Sequence, residues 1–359
     1  MNPLRRKIAR LIAAEGPIGI DRYMELALLD PEHGYYMRRD PFGTKGDFVT
    51  APETSQIFGE LLGLWCVQAW EDRGSPARIH LVELGPGRGT LMADVLRAAT
   101  LRPRFLDAAE IIMIEASPAL RAMQERALHG RGAHWTAHFG EVAPDAPLLI
   151  LANEFLDALP VRQAVRTANG WRQRVVASRG DATLTFSTGT ESMDACVPAV
   201  LRDAPDGSIF ELSPAREAAV AEIARAIAAA GGAALFIDYG HGRQGIGDTL
   251  QAVKAHRYAD PLDTPGEADL TAHVDFAALA SAARNEGARV SGPLTQAEFL
   301  GALGIGPRAE RLGRGASAEG RAGIDAGVDR LISPAKMGTL FKVLAVSALR
   351  EAVPPGFPC

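Results

Sequence analysis

Residues 79–98, IHLVELGPGRGTLMADVLRA, constrain the fold more than any other stretch of the chain. The apolar run 79–84 leads into a turn holding Gly85, Gly87 and Gly89, and a helical pattern follows over 90–99. A strand that turns sharply into a helix is half of a parallel crossover unit, because parallel strands cannot be joined by a tight hairpin. Similar short apolar runs recur at 111–114, 148–151 and 234–237, with helical patterns over 118–128 and 214–230. Runs without alternation bury both faces, as the inner strands of a helix-covered sheet do. The expected fold class is therefore α/β, a Rossmann-like doubly wound sheet, closed by strands near 288–290 and 339–346.

The 359 residues allow one large domain with insertions or two domains. We expect a helical N-terminal region with a lid loop over 1–75 and a sheet domain over 76–350. Leu4, Ile8, Leu11 and Ile12 recur at helical spacing, and a further helix is expected over 55–72. Insertions are expected at about 161–212, 241–285 and 300–333. The first carries Asn169-Gly170 and Arg179-Gly180-Asp181, turn signals of an antiparallel hairpin. The other two, rich in Gly, Asp and Pro, read as loops and short helices over one sheet edge.

Composition excludes several classes. Hydrophobic residues at 47% and charged residues at 23% argue against disorder, and a net charge of −5 gives no footprint for nucleic acid. Cys66, Cys196 and Cys359 are odd in number and far apart, which suits a reducing compartment and gives no metal-ligand spacing. No run of 18 apolar residues occurs, so no membrane span is expected. The start, with Arg5-Arg6-Lys7, reads as an amphipathic helix rather than a targeting peptide, and a cytoplasmic location is expected.

The turn itself reads Glu83-Leu84-Gly85-Pro86-Gly87-Arg88-Gly89-Thr90. Thr90 stands where a dinucleotide fingerprint needs Gly or Ala, and no Lys-Ser/Thr pair follows to make a P-loop. Glu83 would repel a pyrophosphate but could accept hydrogen bonds from an ammonium group. Glu115, just past the run 111–114, could accept the two hydroxyls of a ribose. Either feature alone also suits a bland turn or a solvated acid. Together, Glu83, the three glycines and Glu115 resemble the cofactor site of class I S-adenosylmethionine-dependent methyltransferases.

The run 148–161, LLILANEFLDALPV, puts Asn153, Glu154 and Asp157 at a carboxyl end, where open α/β sheets bind ligands. The local alternative is that Asn153 and Asp157 cap a short helix ended by Pro160. If the acceptor is an arginine guanidinium, donor and acceptor are both cationic, and carboxylates must offset their repulsion and aim one nitrogen at the methyl group. Glu154 and Asp157 are the catalytic candidates with Asn153 beside them, and Asp47 and Glu53 are possible lid contributors. His241 and His273 could line the pocket, although a lone histidine is more often structural.

GDFVTAPETSQIFGELLG, LVELGPGRGTLMADVLRA, NEFLDALPV, FIDYGH, DLTAHVDF, LTQAEFL and MGTLFKVL, in that order, resemble the MidA family of methyltransferases over residues 4–346. The resemblance implies a class I methyltransferase fold, S-adenosyl-L-methionine as cofactor and an arginine on a respiratory complex I (NADH dehydrogenase) subunit as substrate. It extends the cofactor role to Glu83, Gly85, Pro86, Gly87, Gly89, Thr90, Glu115 and Asn153. Residues 46–53 would form a lid, and the lack of an evident presequence points to a bacterial homologue. The competing readings are a non-catalytic complex I assembly chaperone that binds the cofactor and an NAD-dependent oxidoreductase. Glu83 and Thr90 weigh against the second of these.

Overall fold

All four apolar runs form neighbouring strands of one sheet in the computed structural model, which describes residues 2–38 and 50–358. We label seven of this sheet's strands β1 Ile79–Leu84, β2 Ala109–Ile114, β3 His134–Thr136, β4 Leu148–Asn153, β5 Gly232–His241, β6 Ala288–Thr295 and β7 Phe341–Ala348. Their order across the sheet is β3-β2-β1-β4-β5-β7-β6. The pairs from β3 through to β5 are parallel, whereas β7 runs antiparallel to both β5 and β6. Strand order reverses between β1 and β4, and in a doubly wound sheet that reversal opens a crevice beyond the carboxyl ends.

The residues of β1 and β4 are buried throughout, as the unalternating runs require. Helices form over Thr90–Ala99, Pro118–Ala127 and Pro214–Ala230, at or within one residue of the expected limits. The helix Gln56–Glu71 presents apolar residues around most of its surface and is buried on most sides. Its Gly59 and Gly63 let it lie close to Thr90–Ala99: an added Cβ would meet Asp94 Cβ at 2.5 Å and the Val95 carbonyl oxygen at 2.8 Å. Leu61, Trp65, Leu81, Met92, Leu149 and Leu235 share the resulting core.

The chain divides into two compact units. Residues 50–156, 218–242 and 276–358 carry the large sheet. Residues 2–38, 157–217 and 243–275 form the other unit. That second unit has a sheet in which Gly170–Ser178 pairs antiparallel with Arg162–Thr167 around Asn169-Gly170 and with Leu184–Ser192 beyond Arg179-Gly180-Asp181. The helices Pro3–Glu15 and Ile20–Leu29 contribute Leu4, Ile8, Tyr23 and Met24 to a core with Val176 and Leu270.

Two expectations meet a different structure. The N-terminal region is split, since 2–38 packs with the insertion segments while Gln56–Glu71 belongs to the large-sheet unit. Residues within 241–285 were read as loops and short helices, yet Gln251–Lys254 pairs with Arg257–Ala259 and with Asp269–Thr271 in a small antiparallel sheet. Strands of three or four residues give too little alternation to read. Residues within 300–333 form the helices Ile305–Gly313 and Ala318–Ile332. Among the described residues, no helix is long and apolar enough to cross a membrane.

β5 starts at a backbone position that only glycine suits. Gly232 has φ of +113°, and a Cβ there would fall 1.9 Å from the Leu148 carbonyl oxygen of β4. Its N–H donates to Glu351 Oε1 at 3.0 Å, and its carbonyl accepts from Arg73 Nη2 at 3.2 Å. Gly232→Ala is therefore expected to destabilise the protein by about 2 kcal/mol or more. The measurement is urea denaturation, in which the midpoint should fall with m unchanged. Exposed Gly180, with open space around its Cβ position, is the control and should shift by under about 0.5 kcal/mol on replacement by alanine.

Candidate functional site

At the end of β1, Glu83 is only 3% exposed. The backbone N–H of Met92 donates to its carboxylate. Met92 lies in the first turn of Thr90–Ala99, where backbone N–H groups have no acceptor within the helix. The other carboxylate oxygen, Oε2, is buried and has no hydrogen-bond partner among the described residues. Burial raises the carboxyl well above the ordinary glutamate range, and the Met92 hydrogen bond offsets this only partly.

The turn is built on three left-handed glycines, with φ of +60° at Gly85, +54° at Gly87 and +81° at Gly89. Gly85 donates to the Ile114 carbonyl at 3.1 Å, and Gly89 to that of Pro86 at 2.7 Å. An added Cβ on Gly85 would meet Phe155 Cδ2 at 2.8 Å, and one on Gly89 would come within 3.3 Å of Gln124 Cα. The first glycine thus admits the chain leaving β4, and the third admits the helix Pro118–Ala127. Thr90 opens its helix with no side-chain cap on the N-terminal N–H groups.

Glu115 follows β2. Its Oε1 accepts from the Ser117 N–H at 2.8 Å and its Oε2 from Gln124 Nε2 at 3.1 Å. Burial raises this carboxyl too, opposed by the hydrogen bonds from Ser117 and Gln124. Gln124 is fully buried, donates also to the Gly87 carbonyl at 2.8 Å and accepts from Trp135 Nε1 at 2.8 Å. It joins the glycine turn to the acid after β2. Sequence reasoning missed it, since a glutamine in mid-helix carries no signal of burial.

Beyond β4, residues 154–160 form turns rather than a helix, so Asn153 and Asp157 cap nothing there. Glu154 adopts φ of +50°, a conformation that a non-glycine residue holds at a cost of about 1–3 kcal/mol. Its N–H donates to the Ile237 carbonyl at 2.9 Å, and two residues on the Leu156 N–H donates to Asp238 Oδ2 at 3.0 Å. Glu154 Oε1 accepts from the Ala51 N–H at 2.9 Å and from Asn153 Nδ2 at 3.1 Å. Asn153 Oδ1 is buried without a partner among the described residues. Glu53 Oε1 pairs with Arg88 Nη1, inside the glycine turn, at 3.2 Å.

Glu83, the glycine turn, Glu115, Asn153 and Glu154 all belong to the large-sheet unit, as does His241 at the end of β5. Asp157 and His273 fall in the other unit. There Arg216, 3% exposed, donates to the carbonyls of Asp157 at 2.8 Å, Ala272 at 3.0 Å and His273 at 2.7 Å. Asp47 and residues 46–49 of the expected lid lie outside the described residues. Among the described residues no group of three or more His, Cys, Asp or Glu could hold a metal ion.

The donor set fits a nucleoside that carries an ammonium group. An orphaned buried carboxylate oxygen suits the cation, glycine backbone admits close approach, and a fixed second carboxylate suits hydroxyls. The family model for S-adenosyl-L-methionine-dependent methyltransferases matches residues 61–294. A Drosophila melanogaster protein named as a mitochondrial protein arginine methyltransferase, the NDUFAF7 homolog, is 38% identical over 96% of this chain and 84% of its own length. Human mitochondrial NDUFAF7, also named a protein arginine methyltransferase, is 35% identical over 96% of this chain and 83% of its own. A Burkholderia thailandensis protein crystallised with S-adenosyl-homocysteine superposes with a TM-score of 0.86 at 31% identity, covering 98% of this chain and 94% of that one. These relatives include named mitochondrial proteins and lend no support to the expected cytoplasmic location. The chain belongs to the MidA/NDUFAF7 family of S-adenosyl-L-methionine-dependent methyltransferases.

Proposed function

We propose that the protein methylates an arginine side chain of a protein substrate, with an NADH dehydrogenase subunit as the acceptor, at the crevice between β1 and β4. The observation that carries this reading is the Glu154 carboxylate, held by two donors at the exit of β4 beside the glycine turn. The naming of its relatives as protein arginine methyltransferases supports the acceptor class.

The cofactor, when bound, supplies an electrophilic methyl group on a sulfonium. Glu83 Oε2 accepts from the ammonium end, Glu115 accepts from the ribose hydroxyls, and the Gly85–Gly89 backbone lets the ligand lie close. Asn153 Oδ1, buried with no hydrogen-bond partner among the described residues, offers one more acceptor. Glu154 takes the guanidinium: two positive charges ~4 Å apart at a partly desolvated site repel by several kcal/mol, and its carboxylate offsets that repulsion. With Oε1 held by two protein donors, Oε2 would accept from the guanidinium and help set the direction of attack. The guanidinium stays protonated until transfer begins, so the proton leaves during or after methylation.

Two tests follow from these roles. Burial raises the Glu83 carboxyl well above the ordinary glutamate range in the free protein, which favours its neutral form. An ammonium on Oε2 favours the charged form and drives the proton off. Binding of S-adenosylmethionine in mildly acidic buffer is therefore expected to release about one proton, and affinity should rise with pH until the raised glutamate titration is passed. Calorimetry in buffers of differing ionisation enthalpy measures this. Release that persists unchanged in Glu83→Gln would remove the ammonium from Glu83.

The second test concerns transfer. Glu154→Gln should lower the rate of methyl transfer by about 100-fold or more while cofactor affinity changes less than about threefold. The assay is mass spectrometry of NADH dehydrogenase subunits from cells carrying either form, with purified turnover measured on the subunit found. An undiminished methyl mark in the variant would exclude Glu154 from the chemistry.

A further inference from the structure

The short helix Ala51–Thr54 touches the site twice. Its first residue donates the Ala51 N–H to Glu154 Oε1 at 2.9 Å, and its third places Glu53 Oε1 3.2 Å from Arg88 Nη1. The Glu53 side chain is 12% exposed and that of Arg88 34%, so this ion pair is shielded from water more than a typical surface pair. Beyond the helix, Ser55 caps Gln56–Glu71 by accepting from the Ile57 N–H at 3.3 Å. Gly327 packs on the same residue closely enough that a Cβ there would lie 3.1 Å from Ser55 Cβ. The far end of the segment is thus fixed by packing, and its near end by Glu154 and Arg88.

These contacts close a circuit within the large-sheet unit. The glycine turn holds Arg88, Arg88 holds Glu53, the helix carries Ala51 to Glu154, and Phe155, next along the chain, packs against Gly85 of the same turn. We infer that the Glu53–Arg88 pair is a positioning device for Glu154, setting the orientation of its carboxylate through the Ala51 N–H. Neither Glu53 nor Arg88 needs to touch the acceptor for this. Arg88 lies between the second and third glycines of the turn, so a ligand that orders the turn also orders the acid beyond β4. The role in methyl transfer rests on the function proposed above, whereas the mechanical link does not.

Amide hydrogen exchange at Ala51–Thr54 reads that link without any turnover. Glu53→Gln and Arg88→Met are each expected to speed exchange of the Ala51 amide by about tenfold or more, and Arg88→Lys to retain most of the protection. Amides of the helix Gln56–Glu71 in the same samples report whether each variant is folded. With a methylated acceptor in hand, Glu53→Gln should lower kcat by about 10-fold or more with cofactor Kd within about threefold, and the double variant should be no worse than either single. Ala51 exchange unchanged in folded Glu53→Gln overturns the link, whatever the enzyme's substrate. Faster exchange with no methylation by the wild-type protein leaves the link standing and counts against the proposed function alone.

Discussion

A carboxylate that is 3% exposed, with one oxygen lacking any partner among the described residues, is the constraint around which this sheet's carboxyl end is arranged. An isolated ionised carboxylate in such surroundings costs several kcal/mol, and the cheaper state is the neutral acid. Glu83 occupies that position because β1 is central and buried throughout, leaving no solvent-facing side to which its end residue could turn. The Met92 N–H relieves part of the burden and ties the acid to the helix that follows the turn. Gly85 and Gly89 let Phe155 and the helix Pro118–Ala127 pack close against the turn that follows it. Sequence local to the turn, burial of the strand and the chemistry of the site are one argument here.

The backbone beyond β4 is shaped by the same crowding. Phe155 occupies the space that a side chain on Gly85 would need, and the preceding residue takes up the left-handed conformation. That conformation is over-determined: Ile237 and Asp238 at the end of β5 accept the N–H groups of Glu154 and Leu156. Strain held at a position by several independent contacts is a mark of a side chain that must point one way. Ala51, far back in the chain, and Asn153, the preceding residue, then fix one oxygen of Glu154.

Much of this was legible in the sequence, and the parts that were not share a physical cause. β1, the helix after it and Pro214–Ala230 were read at their observed limits because an apolar run or a 3.6-residue period extends over their full length. The small sheet at 251–271 was missed because its hairpin turns through Ala255 and His256, with φ of +49° and +61°. Such a turn normally announces itself by Asn or Gly, and here neither is present. Ala318–Ile332 lies in the segment expected to hold loops and short helices, and it contains Gly320, Gly323 and Gly327, each of which costs about 1 kcal/mol against alanine in a helix. Gly327 is explained by its approach to Ser55, a contact between residues far apart in sequence. Glu83, Glu115 and Glu154 could be singled out from strand ends alone. Gln124 and the Glu53–Arg88 pair could not, because their roles depend on which helices meet.

The two strand-end acids differ in how they are hydrogen-bonded, and the difference suits the two ends of the ligand in the function proposed above. Glu115 receives protein donors on both oxygens, from the Ser117 backbone and the Gln124 side chain, with the Ala116 backbone as a further donor, and these favour its charged form and fix its plane. A carboxylate has about four acceptor sites, so it can still accept from a neutral hydroxyl donor that needs a preorganised acceptor. Glu83 receives a single donor, keeps an orphaned oxygen and is pushed further toward neutrality by burial. Such a group gains most from a donor that brings its own positive charge, since the cation then supplies the stabilisation that the protein withholds. A ligand with a cation at one end and a diol at the other can lie across the glycine turn in only one direction. Under the function proposed above, the sulfonium between those two ends is the part of the ligand that the acceptor at Glu154 must reach.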